Sequence, residues 1–322
     1  IDYDRCVSCG QCLVSCPFGA IVDKSQIFQV VRSIVEGNTV VAIVAPSFVG
    51  QFGKNVTVPK FVAAMKQLGF SDVVEVAAGA DVCAIEEARD FVEKVPAQQK
   101  FLATSCCPSW RMMARRLFPD ESGNISMTYT PMIYTARLVK HTHPGSKVVF
   151  IGPCAAKKLE AMQQELRSDV DFVLTYEELM GIFEAKAIDF SQLPDTDDLH
   201  DASGLGRGFA AAGGVAAAVE EVLRRTQPDM EVKIQRADGL RECRRLLTLA
   251  KAGKFDGYLL EGMACPGGCV AGAGTIIPAE VAKKQLDAHA KQATVFSCAE
   301  SPYRAFAGLL EEPAAREEET KR

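Results

Sequence analysis

Apolar residues along this chain fall into short uninterrupted runs separated by longer stretches in which they recur every three or four positions. The runs are VVAIVAP (40–46), VVEVAA (73–78), KFLATS (100–105), KVVFIG (147–152), DFVLT (171–175) and GYLLEG (257–262). Such runs, apolar without alternation, are the pattern of strands covered on both faces, and they predict a largely parallel sheet. The stretches 57–68, 83–95, 111–118, 157–166, 209–225 and 240–252 carry helical periodicity. A polar amphipathic segment over 23–36 predicts one more helix, closed by Gly37 and Asn38. Alternation of these two patterns means an α/β fold, and the length allows two lobes. Residues 1–20 are loop-like, and the tail EEPAAREEETKR reads as a charged, frayed end. There is no internal repeat by inspection. We therefore expect two domains: a small N-terminal segment, 1–36, and an α/β domain, 37–322.

Composition narrows the function classes. A 322-residue chain that is 48% hydrophobic can bury a sizeable core. Its net charge of -5, with Lys and Arg scattered, gives no basic footprint for nucleic acid. No apolar run approaches the roughly 18 residues of a membrane span, and no secretory leader is visible. The expectation is a cytoplasmic protein without a membrane span. The chain opens on Ile1 rather than Met, which suggests that the natural chain begins upstream.

Cysteine usage carries most of the chemistry. There are 12, and the four His (His141, His143, His200, His289) lie away from them, which argues against mixed Cys/His zinc sites. A chain of this size needs no disulfide staples. Cys6, Cys9, Cys12 and Cys16 follow the spacing C-x2-C-x2-C-x3-C-P, in which close thiolates on a tight loop reach neighbouring irons of a 4Fe-4S cubane. A structural zinc is the plain alternative. In runs of this kind the fourth cysteine serves another cluster, so one or two accessory 4Fe-4S clusters are expected, the second using an upstream cysteine.

A second set is dispersed. Cys106 and Cys107 follow the run FLATS, Cys154 follows VVFIGP, and Cys265 and Cys269 follow YLLEGMA. Loops at the carboxyl ends of parallel strands converge on one crevice, so three distant loops could deliver thiolates to one point. Singly, each is more often a buried small hydrophobe. Adjacent Cys106 and Cys107 point apart along a trans peptide, so they are expected to do different jobs. Lys157 and Glu160 sit three apart, a spacing that also suits a surface ion pair. Glu87 and Asp90 share one helical face, which equally suits a solvated surface.

The segments TSCCPSW (104–110), GPCAAKKLE (152–160) and EGMACPGGCVAGAG (261–274), with Ala45-Pro46-Ser47 and the ferredoxin-type run, closely resemble the iron-only (FeFe) hydrogenases over essentially the whole chain. The resemblance implies an H-cluster: a 4Fe-4S cubane joined through a cysteine to a 2Fe unit bearing CO, cyanide and an azadithiolate. It implies that Cys107, Cys154, Cys265 and Cys269 hold the cubane, with Cys269 bridging. Lys157 matches the residue that hydrogen-bonds one cyanide, with Glu160 as its partner. Ala45, Pro46 and Ser47 match the segment that meets the other cyanide, and Met263 packs beside the diiron unit. Cys106 matches the free thiol of a proton relay that continues through Glu87, Ser126 and Asp90, the last being Glu in better-known members.

Three departures mark a less-studied branch. Gly152 stands where familiar members have Met, Ser109 where they have Gly, and Met132 replaces a polar residue. Cys83, Cys243 and Cys298 match no ligand and read as structural. The implied activity is reversible formation of H2 from protons and electrons, exchanged with ferredoxin or another redox protein. The 2Fe unit would come from maturation proteins. The rivals are an iron-sulfur scaffold or assembly protein lacking the diiron unit, and a sensory hydrogenase. Cys106 and the rest of the relay have no use in a scaffold. A sensor would be expected to lose Cys106 and to carry a signalling domain.

Overall fold

The computed structural model describes residues 1–2, 4–195, 199 and 202–310. The charged tail expected to be frayed, from residue 311 onward, lies outside them. Two parallel sheets organise the chain. The first contains β1 (Val40–Val44), β2 (Asp72–Glu75), β4 (Lys147–Gly152) and β5 (Phe172–Thr175), in the order β2-β1-β4-β5. The second contains β3 (Leu102–Ala103), β6 (Lys233–Asp238) and β7 (Tyr258–Met263), in the order β3-β7-β6. Ala42 sits level with Val73 on one side and Val149 on the other. All five residues of β1 are buried, as a central strand covered on both faces must be. The fold is thus α/β with two mainly parallel lobes.

Helices cover both sheets. Near the N-terminus are α1 (Gln11–Ser15), α2 (Ile27–Val35) and α3 (Val58–Leu68). The middle of the chain gives α4 (Val76–Lys94), α5 (Pro108–Leu117), α6 (Pro131–Thr142), α7 (Ala156–Ala161) and α8 (Tyr176–Ala185). Then come α9 (Gly204–Gly208), α10 (Gly214–Thr226), α11 (Leu240–Lys251) and α12 (Ala279–Lys291). Among the described residues no helix is long and apolar enough to cross a membrane.

All six expected strands are present, β4 with the expected bounds, β7 shifted by one residue and the others shorter. The run 73–78 stops at Glu75, and α4 starts seven residues before the expected helix at 83. Its small residues Ala77, Ala78, Gly79 and Ala80 are buried and let α4 approach α6 closely. The expected strand 100–105 pairs only over Leu102–Ala103, which leaves 104–107 free to turn. The expected helix 157–166 ends at Ala161, and that at 209–225 begins only at Gly214 as α10, after a turn through Gly213, whose φ is 87°. β6 escaped the hydrophobic pattern because it is an edge strand with largely polar, exposed positions.

The topology positions a site. In the first sheet the chain runs from β1 to one side and later from β4 to the other. The crevice at their carboxyl ends is therefore a switch point, where ligands bind in such sheets. Ala45 and Pro46 leave β1 there, and Pro153 and Cys154 leave β4. The carboxyl ends of β3 and β7 deliver Cys106, Cys107, Cys265 and Cys269 from the other lobe.

Candidate functional site

The two crevices open onto one cavity, with roughly 870 Å³ of space between its atoms, part of it open to solvent. One lobe contributes Ala45, Pro46, Cys154 and Lys157 to the wall; the other contributes Cys106, Cys107, Met263, Cys265 and Cys269. Phe150, Met132 and Phe209 make much of the remainder apolar. Among the described residues no three Cys, His, Asp or Glu side chains gather around a single metal ion; the thiols instead ring the cavity.

Local structure sets each loop. Cys107 is the extended residue before Pro108, which opens α5 at its first position. Its sulfur accepts the Ala264 N-H at 3.4 Å. The glycines after Cys265 carry no side chain and so allow close backbone approach. Here they also meet the chain's own backbone: a Cβ on Gly268, whose φ is 95°, would lie 2.4 Å from the Ala212 nitrogen, and one on Gly272 2.5 Å from the Pro153 carbonyl oxygen. Desolvation pushes the thiols of Cys107, Cys154, Cys265 and Cys269 up, Cys154 to about 11 and Cys269 to about 12, and at the last three the neighbouring thiols add to the effect. Four sulfurs that resist ionisation in this way require a positive partner if they are to become thiolates.

Lys157 is buried. Its Nζ lies 2.6 Å from Glu160 Oε2 and donates to the Cys106 carbonyl at 3.4 Å. Burial works against its charge, but Glu160 outweighs that and the Lys157 pKa is raised. The pair is therefore not a solvated surface bridge. Glu160 sits behind the wall rather than in it, with Arg111 3.8 Å from its other oxygen. Ser47 also stays out of the cavity. Its hydroxyl pairs with the Tyr176 hydroxyl at 2.8 Å, and Tyr176 donates to the Ala45 carbonyl at 3.1 Å.

Behind Cys106 lies a file of polar residues. Cys106 is held well above its usual range by burial, then by Cys83. Glu87 is fully buried, neither of its carboxylate oxygens has a hydrogen bond, and burial pushes its pKa up to about 8. The neighbouring Ser126 hydroxyl favours the carboxylate, against the larger effect of burial. Ser126 Oγ accepts the Thr128 N-H at 3.1 Å, and Thr128 Oγ1 faces Asp90 Oδ2 at 3.5 Å. Asp90 is partly exposed and paired with Lys94 at 2.6 Å.

The N-terminal cysteines stand apart from this cavity except for Cys9, which reaches its wall. Cys6 accepts the Ser8 N-H at 3.4 Å. Backbone N-H groups, that of Phe18 foremost, hold the half-buried Cys16 below its usual range. Gly10, with φ 76°, lets this loop close on the body, since a Cβ there would lie 2.4 Å from the Ala273 Cβ.

Four contributors escaped sequence reasoning. Thr128 bridges towards Asp90, and Tyr176 holds Ser47. Cys9 faces the cavity from another segment. The Phe150 ring lies 2.6 Å from where a side chain on Gly152 would begin, and so occupies the space such a side chain would need. None of these has a local signal, because each depends on contacts distant in sequence.

The sequence profile of the iron-only hydrogenase large subunit, C-terminal domain, matches residues 38–273, and that of a 4Fe-4S binding domain matches residues 1–22. The NADP-reducing hydrogenase subunit HndD of Solidesulfovibrio fructosivorans is 30% identical over 84% of this chain and 55% of its own length. The periplasmic [Fe] hydrogenase large subunit of Nitratidesulfovibrio vulgaris is 30% identical over 85% of each chain. Against HndD, then, the chain spans about half of the relative's length. Cytosolic iron-sulfur assembly component 3 of Bos taurus is 26% identical over 89% of this chain and 74% of its own. An FeFe-hydrogenase structure from Chlamydomonas reinhardtii superposes with a TM-score of 0.69 at 20% identity, covering 91% of this chain and 96% of that one. That last likeness concerns the fold. Taken with the profile match over most of its length, these relatives make the chain a member of the iron-only hydrogenase large-subunit family, with an iron-sulfur segment at its N-terminal end.

Proposed function

We propose that this chain is an FeFe-hydrogenase, exchanging electrons with ferredoxin or a similar redox protein and catalysing the reversible reduction of two protons to H2. What carries the reading is the convergence of four half-buried thiols from three loops on one cavity, with a buried lysine beside them and a fifth thiol, Cys106, next to the ligand set. The donor set suits a cluster: all four are soft sulfurs, spread around a cavity rather than gathered on one point. Cys107, Cys154, Cys265 and Cys269 would hold the 4Fe-4S cubane of an H-cluster, with Cys269 bridging to a 2Fe unit with CO, cyanide and azadithiolate ligands. That group supplies the redox chemistry when bound.

The chain's own residues supply position and protons. Lys157, fixed by Glu160, turns a buried cation towards an anionic ligand, a charge-assisted hydrogen bond of about twice ordinary strength. Ala45 and Pro46 present backbone on the opposite wall, while Ser47 acts through Tyr176 instead of directly. Met263, Met132 and Phe209 keep water out. Cys106 passes protons to and from Glu87, whose pKa of about 8 suits exchange near neutral pH. Ser126, Thr128 and Asp90 then lead to solvent. Cys6, Cys9, Cys12 and Cys16 would hold an accessory 4Fe-4S cluster that supplies electron transfer, with Cys9 at the cavity wall, and maturation proteins would provide the 2Fe unit.

Infrared spectroscopy after maturation tests the proposal. Metal-bound CO and CN bands are expected, and Lys157→Ala should lose them while the fold and cubanes persist. The likeness to the iron-sulfur assembly component favours one second reading, a scaffold that keeps a cubane alone. Absence of those bands from the matured wild-type chain would decide for it.

A further inference from the structure

Glu261 opens the segment that carries Cys265 and Cys269 but has no part in the proposed reaction, yet it is almost wholly buried on β7. Its Oε1 accepts the Gly213 N-H at 2.6 Å and its Oε2 the Ala216 N-H at 2.7 Å. These are the free N-H groups at the start of α10, where Gly213 itself supplies no capping side chain. A carboxylate there satisfies two donors and opposes the positive end of a 13-residue helix.

The turn leading into α10 is in turn bonded to the cysteine loop on both sides of Cys269. Ala212 N-H donates to the Gly267 carbonyl at 3.0 Å, and Val270 N-H donates to the Ala210 carbonyl at 3.1 Å. Between those two bonds Gly268 is pressed onto the 210–212 backbone. Phe209 and Ala210 meanwhile line the cavity. Beginning at Glu261, the connections run to Gly213, back through 210–212 to Gly267 and Val270, and return along Cys265 to β7. Asp238 adds one further tie, accepting the Gly267 N-H.

We propose that Glu261 is the positioning residue for the Cys265–Cys269 loop: by fixing the start of α10 it holds the 209–213 turn, which holds the two thiols at the spacing a cluster needs. The inference rests on the reading that Cys265 and Cys269 are cluster ligands. In Glu261→Gln one of the two acceptors becomes a donor facing an N-H, so the turn is released while volume is kept.

The test uses the whole chain, unmatured and reconstituted anaerobically with iron and sulfide, and follows iron release to a ferrous chelator. Cys265→Ser and Cys269→Ser serve as controls. Glu261→Gln is expected to keep its fold and N-terminal cluster, to alter the electron paramagnetic resonance signal of the reduced cavity cubane alone, and to release that cubane roughly tenfold faster or more, as loss of a hydrogen bond to a charged group implies. Release at the wild-type rate with an unchanged signal overturns the role of Glu261. Wild-type iron content in both cysteine controls would overturn the ligand reading instead. Should Glu261→Gln fail to fold, amide exchange on the wild-type chain decides. Reconstitution should slow exchange at Gly213 and Ala216 but not in α12, and equal exchange before and after overturns the proposal.

Discussion

Side by side in the sequence, Cys106 and Cys107 separate in space because Pro108 keeps Cys107 extended. Cys107 is tied to the Ala264 backbone at the ligand position, while the Cys106 carbonyl is held by Lys157. A ligand sulfur fixed to iron cannot carry protons, whereas a free thiol can, and a serine hydroxyl in its place is far less acidic. Cys106→Ser should therefore retain iron and infrared bands but lose turnover by orders of magnitude, with Cys106→Asp keeping part of it. Cys107→Ser should damage the cubane itself. Parent turnover in Cys106→Ser would remove the relay role from Glu87, Ser126 and Asp90 as well. Glu87 adds a prediction about stability. Its folded pKa of about 8 stands above the ordinary 4.5, so the folded chain keeps a proton that the unfolded chain has lost. Stability is unaffected by this group below 4.5, falls as pH rises from there, and has fallen by on the order of a few kcal/mol above 8. Melting curves of Glu87→Gln and wild type from pH 5 to 9 should diverge in favour of the variant as pH rises; parallel curves would mean that the carboxylate is solvated. That the cysteines placed after strands would meet in one crevice was legible from those places, whereas Lys157 and Glu87, with a surface pair and a solvated face as their plain readings, were singled out only through the resemblance. The Ser47–Tyr176 pair was not legible, since its two hydroxyls are 129 positions apart.

At the scale of elements, the parallel strands were legible from their unbroken apolar runs, and the site followed from their carboxyl ends. Helix boundaries were less so, because tertiary contact decided them. Small residues at the start of α4 look strand-like or neutral in isolation, yet they exist so that α6 can come close. A Cβ on Gly79 would sit 2.3 Å from both the Pro131 carbonyl oxygen and Thr135 Oγ1. Gly79 N-H also donates to Thr135 Oγ1 at 3.2 Å. Although alanine favours helices by up to about 1 kcal/mol over glycine, Gly79→Ala should destabilise the chain by roughly 1–3 kcal/mol through forced separation of the two helices. α4 also carries Glu87, so relay activity should fall further than stability alone explains. A denaturant midpoint unchanged or raised in Gly79→Ala would show that the contact between α4 and α6 yields easily.

The whole molecule joins three bodies around one cavity: two sheets through their strand ends, and the N-terminal cysteine segment through Cys9 and Gly10. That segment is held at several points. Arg116 donates to the Cys6 carbonyl at 2.7 Å, and Lys158 pairs with Asp23 at 2.8 Å. If it serves as the electron entry, its distance from the cavity matters more than its own stability. Gly10 is the point of closest approach, and both its φ of 76° and the Ala273 Cβ exclude a side chain. Gly10→Val should therefore lift the cysteine loop from the cavity wall while leaving the four cavity thiols in place. The matured variant is expected to keep its CO and CN bands and the iron of the cavity site, yet accept electrons from an external donor much more slowly than wild type. Because only electron entry is altered, exchange of H2 with solvent deuterons, which needs no external electrons, should continue at close to the parent rate. Loss of both activities together would show that the N-terminal segment shapes the cavity itself, and unchanged electron uptake would show that electrons enter elsewhere.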